Sequence, residues 1–355
     1  MPMNFPTENL RIKDLKEVIP PAQLQEALPI SQKASETVYQ TRRSIQEILN
    51  GNDDRLLVIV GPCSIHDPKA AWEYAKRLKI LINKLTNDLL IVMRVYFEKP
   101  RSTVGWKGFI NDPYLDGSFQ INEGLHLARK LLLDLATAGI PAGTEYLDLI
   151  SPQYMTDLIS WGAIGARTIE SQVHRELASG LSCPVGFKNA TNGNLDVATA
   201  AIISASRPHH FLSVTKAGHS AIFSTTGNPD CHLILRGGKQ PNYDPESIDE
   251  AATKLIQAGL LPQVMIDCSH GNSGKDPKRQ ILVAENIVGQ IAVGDKRIIG
   301  IMLESHLVAG RQDIVPDTPL IYGQSITDSC MGWEESEELL YQFADAVQKR
   351  RLSQQ

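Results

Sequence analysis

Ile91-Val92-Met93-Arg94-Val95-Tyr96-Phe97-Glu98-Lys99-Pro100-Arg101-Ser102 runs an apolar, β-favouring stretch straight into a cluster of cations. The first residues have the composition of a buried strand. Arg94 stands inside that strand with apolar neighbours on both sides, whereas solvated Arg and Lys usually lie on outer helix faces. The same pattern recurs at Leu233-Ile234-Leu235-Arg236-Gly237-Gly238-Lys239, at Ile164-Gly165-Ala166-Arg167 and at Pro184-Val185-Gly186-Phe187-Lys188. In parallel α/β proteins, ligands bind where strands end and βα loops begin. Four strand ends that carry Arg or Lys therefore predict one anion site, although any one of them alone would pass as an ordinary solvated charge. Arg offers a planar fork for carboxylate or phosphate, so small phosphorylated acids are the expected guests.

Working outward, apolar β-like runs alternate with helical patterns from Leu56 onward. The runs cover 56–60, 90–97, 142–147, 164–169, 185–188, 233–236, 264–267 and 298–303, with helices expected at 124–138, 153–161 and 247–258. Eight runs with helices between them predict a (β/α)8 TIM barrel over 53–355. Residues 1–52 lack this rhythm and read as an N-terminal extension for assembly or regulation. Within it a short strand is expected at 9–18, and a helix at 31–50 that Gly51 stops. Phe211-Leu212-Ser213-Val214, the turn Lys216-Ala217-Gly218 and the stretch His219 to Thr225 read as a β-hairpin inserted at about 209–228. Val104 to Ser118 reads as a long loop over the barrel mouth.

The chain has 355 residues, 42% of them hydrophobic, and a formal net charge of −5. An acidic whole with basic strand ends favours a focused anion site and argues against a nucleic-acid surface. No apolar run approaches membrane-spanning length and the N-terminus has no signal-peptide pattern, so no membrane partner and a cytoplasmic address are expected. Five scattered cysteines without zinc-type pairs fit a reducing compartment.

Cys63, His270, Glu304 and Asp328 stand at the ends of different strands. Thiolate, imidazole and two carboxylates form a mixed set that suits Mn, Fe, Co or Zn better than Mg or Ca. Each residue alone reads more simply as a buried small residue, a cap or an ion-pair partner, and His66 and His306 compete as ligands. The joint occurrence favours a divalent metal.

Several words now combine: Gly61-Pro62-Cys63-Ser64-Ile65-His66-Asp67-Pro68, Met93-Arg94-Val95-Tyr96-Phe97-Glu98-Lys99-Pro100-Arg101, Trp161-Gly162-Ala163-Ile164-Gly165-Ala166-Arg167-Thr168, Gly186-Phe187-Lys188-Asn189, Ile234-Leu235-Arg236-Gly237-Gly238 and Ser325-Ile326-Thr327-Asp328. Together they resemble the type I-alpha 3-deoxy-D-arabino-heptulosonate 7-phosphate (DAHP) synthases over nearly the whole chain. The resemblance implies a metal-dependent condensation of phosphoenolpyruvate with erythrose 4-phosphate and water, releasing phosphate, at the head of aromatic amino-acid biosynthesis. It assigns a divalent metal, Mn2+ first and Fe2+, Co2+ or Zn2+ otherwise, to Cys63, His270, Glu304 and Asp328, against His66 and His306. It further implies that Arg94 and Lys188 hold the phosphoenolpyruvate carboxylate, that Arg167, Arg236 and the Ala166 amide hold its phosphate, and that Lys99 sits between the substrates. Pro100, Arg101 and Ser102 would meet erythrose 4-phosphate, and Glu145 is a candidate for proton transfer. The chain departs from the family pattern in having Ser102 for Thr and Ala190 for Gly.

The resemblance also implies feedback inhibition by an aromatic amino acid, outside the barrel, at Asp148, Pro152, Gln153, Leu181, Ser182, Phe211, Ser213 and Phe223. Tyrosine-sensitive relatives tend to carry Gly where Ser213 stands, so phenylalanine is the expected inhibitor. A homodimer or homotetramer is implied as well. Two other functions fit the same residues less well. A different metal-dependent phosphosugar aldolase would not need two arginine-rich anion sites, and a non-catalytic amino-acid sensor would not need to keep the metal ligands and the substrate-facing cations.

Overall fold

The computed structural model describes residues 5–101 and 103–353. Its centre is a closed barrel built from β1 (Leu56–Gly61), β2 (Leu89–Arg94), β3 (Ala142–Glu145), β4 (Trp161–Ile164) and β5 (Val185–Lys188). Two further strands, β6 (His210–Val214) and β7 (Ser220–Ser224), leave the barrel, which β8 (Cys231–Leu235), β9 (Val264–Asp267) and β10 (Ile298–Glu304) complete. All neighbouring barrel strands pair in parallel, and the last closes on the first with Gly61 opposite Glu304. The expected eight-stranded barrel is the one observed.

The barrel interior is a packed core of Leu57, Ile59, Val92, Trp161, Ala163, Ile234, Met265 and Met302. Trp161 explains one misread boundary. A helix is expected to run through 161 and a strand to begin at 164, but Trp161 itself opens β4 because the barrel needs its volume. Glycines make the room: a Cβ at Gly186 would come within 2.8 Å of the indole, and one at Gly143 within 3.1 Å. The helix expected over 153–161 shrinks to the short Pro152–Met155 turn followed by a 3-10 turn at Thr156–Leu158.

Three outer helices begin with the same dipeptide. Asp67-Pro68, Asp244-Pro245 and Asp276-Pro277 each put a carboxylate at the N-cap, where it accepts a backbone N–H of the first turn, and a proline at the first helical position. Proline loses nothing there, since that N–H has no helical partner. These caps fix helices Pro68–Lys84, Pro245–Gln257 and Pro277–Ala292 against the strands that precede and follow them.

The N-terminal segment differs from expectation. Residues 9–18 form no strand, and an unexpected helix at Pro21–Ala27 precedes the expected one, observed at Gln32–Leu49. The β6–β7 pair is antiparallel, with Phe211 opposite Phe223 and Ser213 opposite Ala221. Two short strands, β11 (Val308–Arg311) and β12 (Gln324–Ser325), form a separate small sheet that the periodicity did not reveal.

Candidate functional site

Parallel strands deliver their C-terminal ends to one mouth. A cavity of about 120 Å³ there is lined by Arg94, Lys99, Pro100, Arg101, Glu145, Ala166, Arg167, Lys188, Arg236, His270 and Asp328, together with the unanticipated Lys275 and Thr327. Cys63 and Glu304 lie beneath it, fully buried. Ser102 lies outside the described residues.

Arg94, at the end of β2, is the most deeply buried of the cations. Its guanidinium donates to the Pro62 carbonyl at 3.1 Å and the Cys63 carbonyl at 3.2 Å, and pairs with Glu304 Oε1 at 2.8 Å. It also stacks on the Tyr96 ring, 3.5 Å from the centroid. Burial alone would weaken its charge, but Tyr96 and Glu304 raise its pKa above the ordinary value, so it remains a cation. Lys99 donates to the Cys63 carbonyl at 2.7 Å. Burial disfavours the charge of Lys99 as well, yet the acidic groups around it, Cys63 foremost, hold its pKa above normal.

Other strand ends bring further charge. Lys188 Nζ lies 3.3 Å from Asp267 Oδ2 and 3.7 Å from Glu145 Oε2. Glu145 is ionised: burial pushes its carboxyl up, but Lys188, Lys99 and Arg94 outweigh it and hold it below the ordinary value. Arg167 reaches across to donate to the Pro100 carbonyl at 2.7 Å. Among the described residues no carboxylate pairs with Arg236, and its side chain makes a single long bond, 3.4 Å, to the Gly237 carbonyl. The loops after β8 and β9 are pressed together at Gly237 and Gly271, where a Cβ on Gly237 would fall 2.4 Å from the Gly271 carbonyl carbon. Gly237 also has φ of 74°, which glycine tolerates best. This contact brings Arg236 beside His270.

Cys63, Glu304 and Asp328 offer donor atoms that all lie within 4.8 Å of one another. His270 stands at the edge of this group, its Nε2 3.7 Å from Glu304 Oε1 and its Nδ1 2.8 Å from Asp267 Oδ2. Its backbone has φ of 49°, an unusual conformation for a side-chain-bearing residue. The donors fit a divalent cation on chemical grounds. Burial raises the Cys63 thiol above its ordinary pKa, and the Glu304 charge adds to that effect. Losing the thiol proton here would set a thiolate against a carboxylate, and a cation between them would offset that repulsion. Burial also opposes ionisation of Glu304, but His270, Arg94 and Lys99 hold it down at about 2. The competing histidines are not among the three close donors: His66 and His306 meet edge to face at 6.2 Å, and His306 accepts from the Leu307 N–H at 2.9 Å.

Asp267 is the residue that sequence reasoning passed over. It lies in the Asp267-Cys268-Ser269-His270 word, three positions before His270, and that spacing was the available signal. Lys275, 3.0 Å from Asp328 Oδ1, left no such trace.

A second cavity, about 750 Å³, lies between the hairpin and the barrel's outer wall. Pro152, Gln153, Leu181, Ser182, Phe211, Ser213 and Phe223 line it, with Lys216 and Ile222 in addition. Asp148 is not in the lining; it accepts the backbone N–H groups of Ile150 and Ser151 at 2.6 and 2.8 Å and shapes the approach to Pro152. Phe211 and Phe223 meet edge to face at 6.0 Å, and Lys216 Nζ donates to the Gln153 carbonyl, pinning the hairpin turn to the barrel.

Comparison with known proteins agrees with this geometry. The DAHP synthetase I family matches residues 27–341. The Phe-sensitive phospho-2-dehydro-3-deoxyheptonate aldolase of Escherichia coli K12 is 61% identical over 349 residues, covering 98% of this chain and all of that one. The Tyr-sensitive aldolase of the same organism is 53% identical over 333 residues, covering 94% of each. The solved phospho-2-dehydro-3-deoxyheptonate aldolase of Francisella tularensis SCHU S4 superposes with a TM-score of 0.94 at 57% identity, over 96% of this chain and 99% of that one. The chain therefore belongs to the DAHP synthetase I family and is an enzyme of that class.

Proposed function

We propose that this DAHP synthase joins phosphoenolpyruvate to erythrose 4-phosphate at the barrel mouth, with a divalent metal, and is inhibited by phenylalanine bound under the hairpin. The observation that carries the catalytic reading is the convergence of Arg94, Lys99, Arg167, Lys188 and Arg236 on a cavity beside three close donors, Cys63, Glu304 and Asp328.

Arg94 and Lys188 take the phosphoenolpyruvate carboxylate. Arg167, Arg236 and the Ala166 N–H take its phosphate, and Lys99 stands between the two substrates. Pro100, Arg101 and Ser102 receive the phosphate end of erythrose 4-phosphate. Fixed in this way, C3 of phosphoenolpyruvate faces the aldehyde carbon, which converts a bimolecular encounter into a positioned one. Cys63, His270, Glu304 and Asp328 would hold the metal, which when bound polarises the aldehyde as a Lewis acid. The C3–C1 bond forms and C2 becomes electron-poor. Water adds at C2, and the tetrahedral species expels phosphate by C–O cleavage. Glu145 and Lys99 are the groups at hand to move protons.

The regulatory reading rests on the lined cavity at the hairpin, on Ser213 within it, and on the higher identity to the Phe-sensitive than to the Tyr-sensitive relative. The N-terminal extension, 1–52, would serve assembly into a homodimer or homotetramer. Phe5, Leu10, Ile12 and Leu15 of that segment, and Leu212 and Ile222 of the hairpin, are exposed apolar side chains suited to such contacts. A cytoplasmic address accords with this metabolic role; among the described residues no helix is long and apolar enough to cross a membrane.

The deciding assay follows phosphoenolpyruvate consumption with erythrose 4-phosphate, with chelator and after restoring Mn2+, Co2+ or Fe2+, and then with phenylalanine, tyrosine and tryptophan separately. Loss on chelation, recovery with metal and strongest inhibition by phenylalanine are expected. Full activity in excess chelator would remove the metal from the reaction, and stronger inhibition by tyrosine would overturn the choice of inhibitor.

A further inference from the structure

We propose that Asp267 is a positioning residue that fixes the ring orientation of His270 so that Nε2, not Nδ1, is presented to the metal; this rests on the reading of His270 as a metal ligand. Asp267 is fully buried at the end of β9. Its Oδ1 accepts the Ser269 N–H at 3.0 Å, which fixes the plane of the carboxylate. Its Oδ2 lies 2.8 Å from His270 Nδ1 and 3.3 Å from Lys188 Nζ. Both atoms are buried, and among the described residues neither is engaged in a hydrogen bond of good geometry, so their 2.8 Å approach leaves each available to pair with the other.

A neutral imidazole carries one N–H, and an ionised carboxylate can only accept. With Asp267 ionised beside Lys188, the proton belongs on Nδ1, and the lone pair is left on Nε2, the nitrogen 3.7 Å from Glu304 Oε1. A carboxylate behind a metal-bound histidine sets the tautomer and ring orientation and makes the ligand more basic. The structure supplies a reason why orientation needs help here: His270 sits at φ of 49° at the start of a four-residue helix, so the backbone gives its ring little regular support. Lys188 has the complementary task of holding the carboxylate charged, which links a phosphoenolpyruvate-facing cation to the metal side of the site.

The test is a double-mutant cycle on Co2+ affinity, read from the thiolate–cobalt absorption of the full-length protein. Asp267→Asn should weaken Co2+ binding roughly 10- to 100-fold, His270→Ala should weaken it as well, and the double variant should lose little beyond His270→Ala alone. Full additivity, or Co2+ affinity unchanged by Asp267→Asn while His270→Ala weakens it, overturns the proposal and leaves the ligand reading intact. An unchanged affinity in His270→Ala overturns the ligand reading, and the proposal with it. If Asp267→Asn does not fold, nitrogen NMR of the histidine-labelled, Zn2+-loaded wild type decides the matter. A protonated Nδ1 with a metal-bound Nε2 at His270 is expected; the opposite tautomer overturns the proposal.

Discussion

Arg94 shows what a single residue must satisfy to be charged inside a core. It is completely buried, yet two carbonyls, one carboxylate and one aromatic face receive its guanidinium. Removing one partner of such a buried pair is expensive, about 3 to 5 kcal/mol, because the other charge is stranded. Arg94 substitutions therefore mix folding with binding, whereas Arg236 separates them. Among the described residues its side chain has one long bond and is otherwise available to a ligand. Arg236→Ala removes charge-assisted hydrogen bonds of about 1.5 to 3 kcal/mol each. We expect phosphoenolpyruvate binding to weaken at least tenfold, erythrose 4-phosphate binding to change less, and thermal stability to stay within a few degrees. Calorimetric titration of each substrate checks this, and equal losses for both would contradict the division of roles.

The β6–β7 hairpin is the element whose purpose packing alone does not explain. Its strands alternate half-buried and exposed residues, and the inward set, Phe211, Ser213 and Phe223, faces a cavity large enough for an amino acid. Ser213 is the position where a hydroxyl or its absence changes the room for a phenol. Ser213→Gly should shift inhibition from phenylalanine toward tyrosine. Pro152→Leu, which adds bulk and frees the start of the Pro152–Met155 turn, should relieve inhibition and leave uninhibited turnover within about twofold. Both follow from inhibition curves with the two amino acids, and an unaltered preference in Ser213→Gly would refute this account of selectivity. The path from hairpin to mouth is short in sequence terms: Ser151, beside Pro152, donates to Glu98 at 3.1 Å, and Glu98 adjoins Lys99.

That buried glutamate bears on the stability of the whole molecule. Burial, with the nearby Asp148 charge, pushes the Glu98 carboxyl up to about 7 from an ordinary value of 4.5. Because the folded state favours the protonated form, the stability it contributes is fully present below about pH 4.5 and is lost as pH rises through about 7. A shift of this size corresponds to at most about 3 kcal/mol. Glu98→Gln keeps the shape and removes the titration. Urea unfolding at pH 5 and pH 8 should show the variant gaining on the wild type as pH rises, and a constant difference would argue against a buried, protonated Glu98.

The fold was legible because the barrel writes itself into sequence as β-favouring runs that alternate with helices, and because Asp-Pro pairs mark where helices start. The gathering of cations at one mouth was legible because a cation inside an apolar strand is rarely a solvated charge. Boundaries went astray where volume decided them: no periodicity announces that Trp161 must fill the barrel between Gly143 and Gly186. Residues 9–18 alternate Leu10 and Ile12 with polar side chains, but half of the segment is Asn, Asp, Lys and Glu, which disfavour strands, and among the described residues it pairs with no strand. Sequence named Cys63, His270, Glu304 and Asp328 as candidates, and resemblance chose among the alternatives. Only tertiary structure brought Cys63, Glu304 and Asp328 within 4.8 Å of one another and stationed Asp267 between His270 and Lys188. The order of residues dictates which chemical groups the chain carries to its strand ends. Which of them meet was decided by the closing of eight strands into one barrel, since residues more than two hundred positions apart become neighbours only when β1 pairs with β10.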